Sequence, residues 1–355
     1  MALSRRRPAA VLTTALGVVA AMAMTACSGG SSDVAAGPAA FAAATAGAAA
    51  DGSGGTINLY AYAVPKPGFD AVIPAFNATA AGKGVTFQQS YGASGDQSRK
   101  VAAGAAADFV NFSVEPDVTR LVDAGLVDAS WNSGQSKGIP FGSVVTIVVR
   151  KGNPKNITTW DDLIKPGVEV VTPNPFSSGS AKWNLLAPYA AKSNGGQDQK
   201  AGLDYVNALV TEHVKTQPKS GREASETFLQ GSGDALISYE NEAIFLEKGS
   251  DPVEHHTPAT TFKIENPAAV VKTSANLTGA AAFNDFLYTT EAQTLLAKTG
   301  FRVVDPAVAA QYASSFPTPE KLWTITDLGG WKSVDTAFFT KDVGSIAVIY
   351  DKASK

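Results

Sequence analysis

Val171-Thr172-Pro173-Asn174-Pro175-Phe176-Ser177-Ser178-Gly179-Ser180-Ala181-Lys182-Trp183-Asn184 is the stretch whose reading decides the fold. A β-branched run over Val168–Thr172 stops at Pro173 and Pro175, and Ser-Ser-Gly-Ser then leads into helical spacing over Lys182–Ala191. The segment therefore reads as strand, turn, helix. The first N–H groups of a helix lack intrahelical partners, and the aligned peptide dipoles place partial positive charge there. Glycine lets a ligand approach the main chain, and serine adds a hydroxyl donor. Such a turn has the chemistry of an anion site that needs no fixed cation.

Working outward, the same grammar recurs on both sides. Ser90-Tyr91-Gly92-Ala93-Ser94-Gly95-Asp96-Gln97 follows the run Gly84–Gln89, and Ser94 and Gln97 stand at capping-box spacing. Ser220-Gly221-Arg222-Glu223 shows that spacing again, ahead of a helix over Glu223–Gln230. One serine–glycine turn before a helix is what any capped helix looks like. Recurrence in one chain favours a shared ligand, yet the pattern alone leaves cap and anion site both open.

The remaining body continues the alternation. Further strands are predicted at Thr56–Ala63, Asp108–Phe112, Val144–Val149, Ala235–Ser238 and Ala268–Lys272. Further helices are predicted at Asp70–Ala81, Gln97–Ala106, Lys200–Val214 and Ala280–Thr299. That order means α/β architecture with mainly parallel sheets. Single cores seldom grow beyond about 250 residues, so two lobes are expected, with a cleft where helix N-termini converge. The chain should cross at Pro140-Phe141-Gly142 and return near Tyr239–Asn241.

Other chemistry is thin. His213, His255 and His256 are the only histidines; the last two read as a solvated loop pair beside Glu254. Asp161-Asp162 and Glu240-Asn241-Glu242 lack the spacing of a metal loop. Gly92-Ala93-Ser94-Gly95-Asp96 lacks the last glycine of a nucleophile elbow, and no Ser-x-x-Lys occurs. No metal, cofactor or enzymatic activity is expected. A formal charge of −3 over 355 residues gives no footprint for nucleic acid.

The N-terminus assigns a compartment. Arg5-Arg6-Arg7, an apolar run over Val11–Met24 and Thr25-Ala26-Cys27 form a signal peptide whose end resembles the bacterial lipobox, with Cys27 as the lipid attachment site. Cys27 is also the chain's single cysteine, which excludes an intrachain disulfide. The Gly/Ala/Ser-rich residues 28–55 bury too little apolar surface to fold and read as a flexible tether.

With these residues in view, a family resemblance is plain. Ser90–Gln97 resembles the Ser-His-Gly-Gly-Ser-Gly-Lys-Gln segment of bacterial sulfate-binding proteins, the solute-binding components of sulfate/thiosulfate ABC importers. Val148–Lys155, Trp160–Val168, Val171–Asn184, Phe228–Glu242 and Leu328-Gly-Gly-Trp331 are similar to further stretches of that family. The resemblance spans Thr56 to about Phe339. It implies a two-lobed class II periplasmic-binding-protein fold with hinge strands and an interlobe cleft. The lobes are then 56–141 with 240–339, and 142–239, leaving 340–355 as a C-terminal tail.

The resemblance also implies a dehydrated sulfate held by backbone N–H groups, two serine hydroxyls and one indole. Carried over, the hydroxyls match Ser94 and Ser178, and main-chain donors match Val64, Gly179, Ser180 and Gly221. The indole position is occupied by Tyr239, so a phenol O–H must replace it. Asp96 stands where the family has lysine. A monomer is expected, with sulfate, ABC permease subunits and the membrane (through Cys27) as partners. Thiosulfate, phosphate or molybdate binding and a secreted lipoprotein hydrolase are the rival functions.

Overall fold

The computed structural model describes residues 54–353, so the expected signal peptide, its Cys27 and residues 28–53 of the expected tether lie outside the described residues. Consecutive βα units open the described chain: β1 (Gly55–Tyr62) and α1 (Lys66–Ala78), β2 (Val85–Gly92) and α2 (Ser94–Ala102), β3 (Phe109–Asn111) and α3 (Glu115–Asp123). The long β4 (Phe141–Arg150) leads to β5 (Val170–Val171), α4 (Gly179–Lys192), α5 (Gln199–Ala208), β6 (Val214–Thr216), α6 (Gly221–Leu229), β7 (Ala235–Tyr239) and α7 (Glu240–Lys248). Next come β8 (Val253–His256), β9 (Thr260–Asn266), β10 (Ala268–Val270), α8 (Leu277–Phe286) and α9 (Thr290–Lys298). The described chain closes with β11 (Arg302–Val303), α10 (Pro306–Gln311), β12 (Lys321–Trp323), α11 (Trp331–Val334) and α12 (Ser345–Ala353).

Two sheets result. In the first, β1 lies between β2 and β3, parallel to both, and β10 closes the edge antiparallel to β3. Its core centres on Phe283, whose ring lies 5.2 Å from Phe76, 4.8 Å from Phe87 and 5.2 Å from Phe109. The second sheet, in order β12-β9-β4-β7-β5-β6, is mixed rather than mainly parallel. β4 causes this: it is buried along all but its last residue and pairs antiparallel with β7, β8, β9 and β11. Trp183 anchors the second core against Trp331 at 4.6 Å and Phe262 at 5.7 Å.

β4 runs from one core into the other. Its first residue, Phe141, packs on Phe301 at 4.6 Å in the first core, while Ile147 and Val149 sit in the second. The return differs from the expected Tyr239–Asn241. Leu246 and Val253 stay against the second sheet, as do Phe262 and Ile264, and the chain crosses only between β9 and β10 at Pro267. The block 240–339 is divided in consequence. α8 and α9 fill the first core, but β12 pairs with β9, and Trp323, Trp331 and Phe338 are buried in the second core.

Residues 340–355 are likewise more than a tail. α12 buries Ile346, Ile349 and Tyr350, the i, i+3, i+4 stripe of an amphipathic helix. The helix expected over Ala280–Thr299 is broken before Thr289, whose hydroxyl caps α9 by accepting the Ala292 N–H at 3.3 Å.

Candidate functional site

The expected turns stand at the carboxyl ends of the strands, and their local chemistry differs from turn to turn. In the first, Ala93 rather than Ser94 is the N-cap of α2, so Ser94 lies inside the first helical turn. Gln97 turns its side chain to the Ser90 hydroxyl, 3.1 Å away, and the expected capping box is absent. Ser94 Oγ donates to Asp117 Oδ2 at 2.6 Å and accepts the Ser113 N–H at 2.9 Å. Its only proton is therefore committed inside the protein, which corrects the expectation of a hydroxyl aimed at an anion.

In the second turn Asn174 folds the chain back on itself. Its side-chain oxygen accepts from Phe176 N at 2.9 Å, and its carbonyl accepts from Ser178 N at 2.9 Å. Ser178 is the N-cap of α4 in extended backbone, and its hydroxyl makes no capping bond. That hydroxyl is spared for another acceptor. In the third turn Ser220 caps α6 by accepting from Glu223 N at 3.1 Å, while the Glu223 carboxylate accepts from Lys219 N at 2.9 Å.

Close approaches bring these turns together. Gly95 N, at the start of α2, donates directly to Ser177 O in the second turn at 3.1 Å. A Cβ on Gly179 would lie 2.8 Å from Ser113 Cβ, and a Cβ on Gly221 would lie 3.0 Å from Ser180 Oγ and 3.2 Å from Val64 Cγ2. Val64, Ser180 and Gly221 thus meet at one point, with Gly179 and Ser113 at another. Tyr239, the last residue of β7, hydrogen-bonds Ser113 Oγ at 2.6 Å and also reaches Ser180 and Asn266. Val64, Ser94, Ser178, Gly179, Ser180 and Tyr239 are all buried.

Electrostatics point the same way. Burial pushes the Tyr239 phenol above its ordinary range, although hydrogen bonds from Ser113 and Ser180 act in the other direction. The group stays protonated, hence a donor, at physiological pH. Arg222, next to Gly221, is taken up by the fully buried Glu242 at 3.0 Å. Burial raises the Glu242 carboxyl and the Arg222 charge opposes that shift. Arg120 neutralises Asp117 at 2.8 Å. Asp96 pairs with Arg99 on the exposed side of α2, so its replacement of lysine puts no carboxylate into the cleft. The charges near the turns are balanced, and what remains to meet a ligand are main-chain N–H groups, serine hydroxyls and a phenol.

Ser113, Asp117, Trp183 and Asn266 are the participants that sequence reasoning missed. Trp183 Nε1 and Asn266 Nδ2 both donate to the Ser113 carbonyl, at 2.8 Å and 3.2 Å. The signal for Ser113 was present: Asn111-Phe112-Ser113-Val114-Glu115 is one more strand-to-helix turn, lacking only a glycine to draw attention. The histidines serve structure. His213 Nδ1 meets the Val168 carbonyl, while His255 meets Glu247 and His256 meets Asn153, so the expected solvated pair is half-buried and hydrogen-bonded. Among the described residues no group of three or more side chains is placed to hold a metal ion.

A two-sheet α/β body with helix N-termini closing on a donor-lined cleft is the architecture of a solute receptor. The chain belongs to the bacterial extracellular solute-binding protein family, which matches residues 57–302. Within that family it is similar to two proteins named sulfate-binding protein. That of Synechococcus elongatus is 37% identical over 292 residues, covering 80% of this chain and 83% of the relative. That of Escherichia coli is 38% identical over 268 residues, covering 73% and 81%. Among solved structures it is similar to the sulfate-binding protein SubI from Mycobacterium tuberculosis H37Rv. That chain is 66% identical with a TM-score of 0.80, and the match covers 80% of this chain and 99% of that one.

The Ser94 geometry is testable in the protein without ligand. Ser94→Ala would strand a buried carboxylate oxygen and the Ser113 N–H, costing about 1–3 kcal/mol of folding stability. Denaturant unfolding of the ligand-free variant should show that loss. A hydroxyl reserved for ligand would leave the unfolding midpoint unchanged.

Proposed function

We propose that this protein binds sulfate on the outer side of the cytoplasmic membrane and delivers it to an ABC importer. The observation that supports the reading is the close approach of separate strand-to-helix turns that carry uncharged donors, with the nearby charges paired to each other. Support also comes from the relatives at 37–38% identity and the solved structure at 66% identity, all named for sulfate binding. In this reading Val64, Ser94, Gly179, Ser180 and Gly221 donate main-chain N–H groups, while Ser178 and Tyr239 donate hydroxyls. Ser94 acts through its N–H, because its hydroxyl proton goes to Asp117.

Sulfate at neutral pH is only an acceptor, so a lining of donors matches it. Hydrogen bonds to a charged group contribute about 1.5–3 kcal/mol each, enough in combination to offset dehydration and closure. Closure converts binding into a signal, since the loaded, closed form differs in shape from the empty one. The protein then works as a monomeric receptor with no chemical step, and Cys27 holds it to the membrane through attached lipid. Cys27→Ala is expected to leave sulfate binding intact and move the protein from the membrane fraction to the medium. Retention in the membrane fraction would mean that the apolar segment stays as a span.

Selectivity follows from protonation. Phosphate near neutral pH carries a proton that needs an acceptor, and an unsatisfied buried polar group costs about 1–3 kcal/mol, more when donors face it. Isothermal titration should show sulfate preferred over phosphate by at least about a hundredfold, near 2.7 kcal/mol. Sulfate affinity should be nearly flat from about pH 5 to 8, because the N–H donors do not titrate and the phenol stays protonated. Phosphate binding as tight as sulfate binding would overturn the assignment.

A further inference from the structure

The bond between Ser113 Oγ and the Tyr239 hydroxyl is 2.6 Å long, and both residues are almost wholly buried. It joins the turn after β3 to the end of β7, and so ties the first sheet to the second. The Ser113 main chain is already engaged. Its N–H goes to Ser94 Oγ, and its carbonyl accepts from Trp183 and Asn266. What Ser113 has left is its hydroxyl, and that hydroxyl faces the phenol.

Proton counting gives this bond a direction. Each hydroxyl owns one proton and can accept through its lone pairs. A phenol that gives its proton to Ser113 has none for an anion. A phenol that accepts from Ser113 keeps its own proton for another acceptor, and a bound anion competes for it with Ser180 and Asn266, which the phenol also reaches. An anion is purely an acceptor and selects the second arrangement, and successive hydrogen bonds in a chain polarise one another. We propose that Ser113 is a positioning residue of the anion site: its hydroxyl donates to the Tyr239 phenol and thereby turns the phenol proton onto the bound oxyanion. The inference rests on the reading of Tyr239 as an anion donor. It identifies how a phenol can do the work of an indole, whose single N–H points one way without help.

A double-mutant cycle tests it. Sulfate affinity is measured by titration calorimetry for wild type, Ser113→Ala, Tyr239→Phe and the double variant, with ligand-free melting temperatures alongside. Each single variant should bind about tenfold more weakly or worse, and the double variant no more weakly than the poorer single. Losses that multiply would overturn the coupling, as would wild-type affinity in Ser113→Ala. The Raman Fermi doublet of tyrosine reports whether a phenol donates or accepts, and Tyr239 is isolated by subtracting the Tyr239→Phe spectrum. On adding sulfate, Tyr239 should both donate and accept in wild type, and its accepting character should fall in Ser113→Ala, where Ser180 and Asn266 remain as neighbours; no difference between them would overturn the proposal. If Ser113→Ala fails to fold, Ser113→Cys, of similar shape with a weak donor, takes its place under the same criteria. Wild type that takes up no sulfate would refute the sulfate reading itself, whereas wild type that binds with an additive cycle would refute only the role of Ser113.

Discussion

The Ser113 carbonyl accepts the Trp183 indole proton at 2.8 Å, and the rest of the cleft depends on that contact. Trp183 is fully buried in the core of the second sheet, so its N–H is aimed by packing rather than by choice of rotamer. The bond draws the start of α4 onto the turn after β3, so close that residue 179 has no room for a side chain. Asn266, at the strand-to-strand crossing between the sheets, adds a donor to the same carbonyl. Through the Ser113 N–H the contact continues to Ser94 and Asp117, which fix the start of α2. One residue thereby sets the spacing between donor turns on both sheets.

That arrangement explains why charged side chains near the cleft are spent on each other. A free cation would bind many anions and would have to be desolvated on closure, at a cost of several kcal/mol. Arg222 with Glu242 instead ties α6 to α7, while Arg120 pairs with Asp117 within α3 and reaches Ser98 on α2. Helix N-termini then offer partial charges already oriented by the backbone, so little reorganisation accompanies binding. Selectivity becomes a matter of counting protons rather than charges.

Much of this was legible in the sequence, and the failures have physical causes. The strand-to-helix turns, the passage of the chain between cores at Phe141 and the meeting of Val64, Ser180 and Gly221 follow from local patterns and a family likeness. Ser94 was misread because capping-box spacing says nothing of Asp117, which lies 23 residues away in sequence but hydrogen-bonds it. The return crossing was misplaced because β8 and β9 are short, half-polar strands whose partner is β4, a non-local pairing that periodicity does not reveal. α12 lies beyond the family likeness, and its apolar stripe of Ile346, Ile349 and Tyr350 is what makes the expected tail part of the second core.

The close approach of Gly179 to Ser113 is where the account is most exposed. Gly179→Ala keeps the main-chain N–H and the charge balance, and changes only how nearly the two turns can meet. Sulfate titration of this variant, with its ligand-free melting temperature, is the most direct test. Affinity is expected to be at least about tenfold weaker, near 1.4 kcal/mol, and the ligand-free melting temperature separates a loss confined to binding from a general loss of stability. Wild-type sulfate affinity in Gly179→Ala would contradict it, for the donors would then hold the anion without the turns closing to this distance.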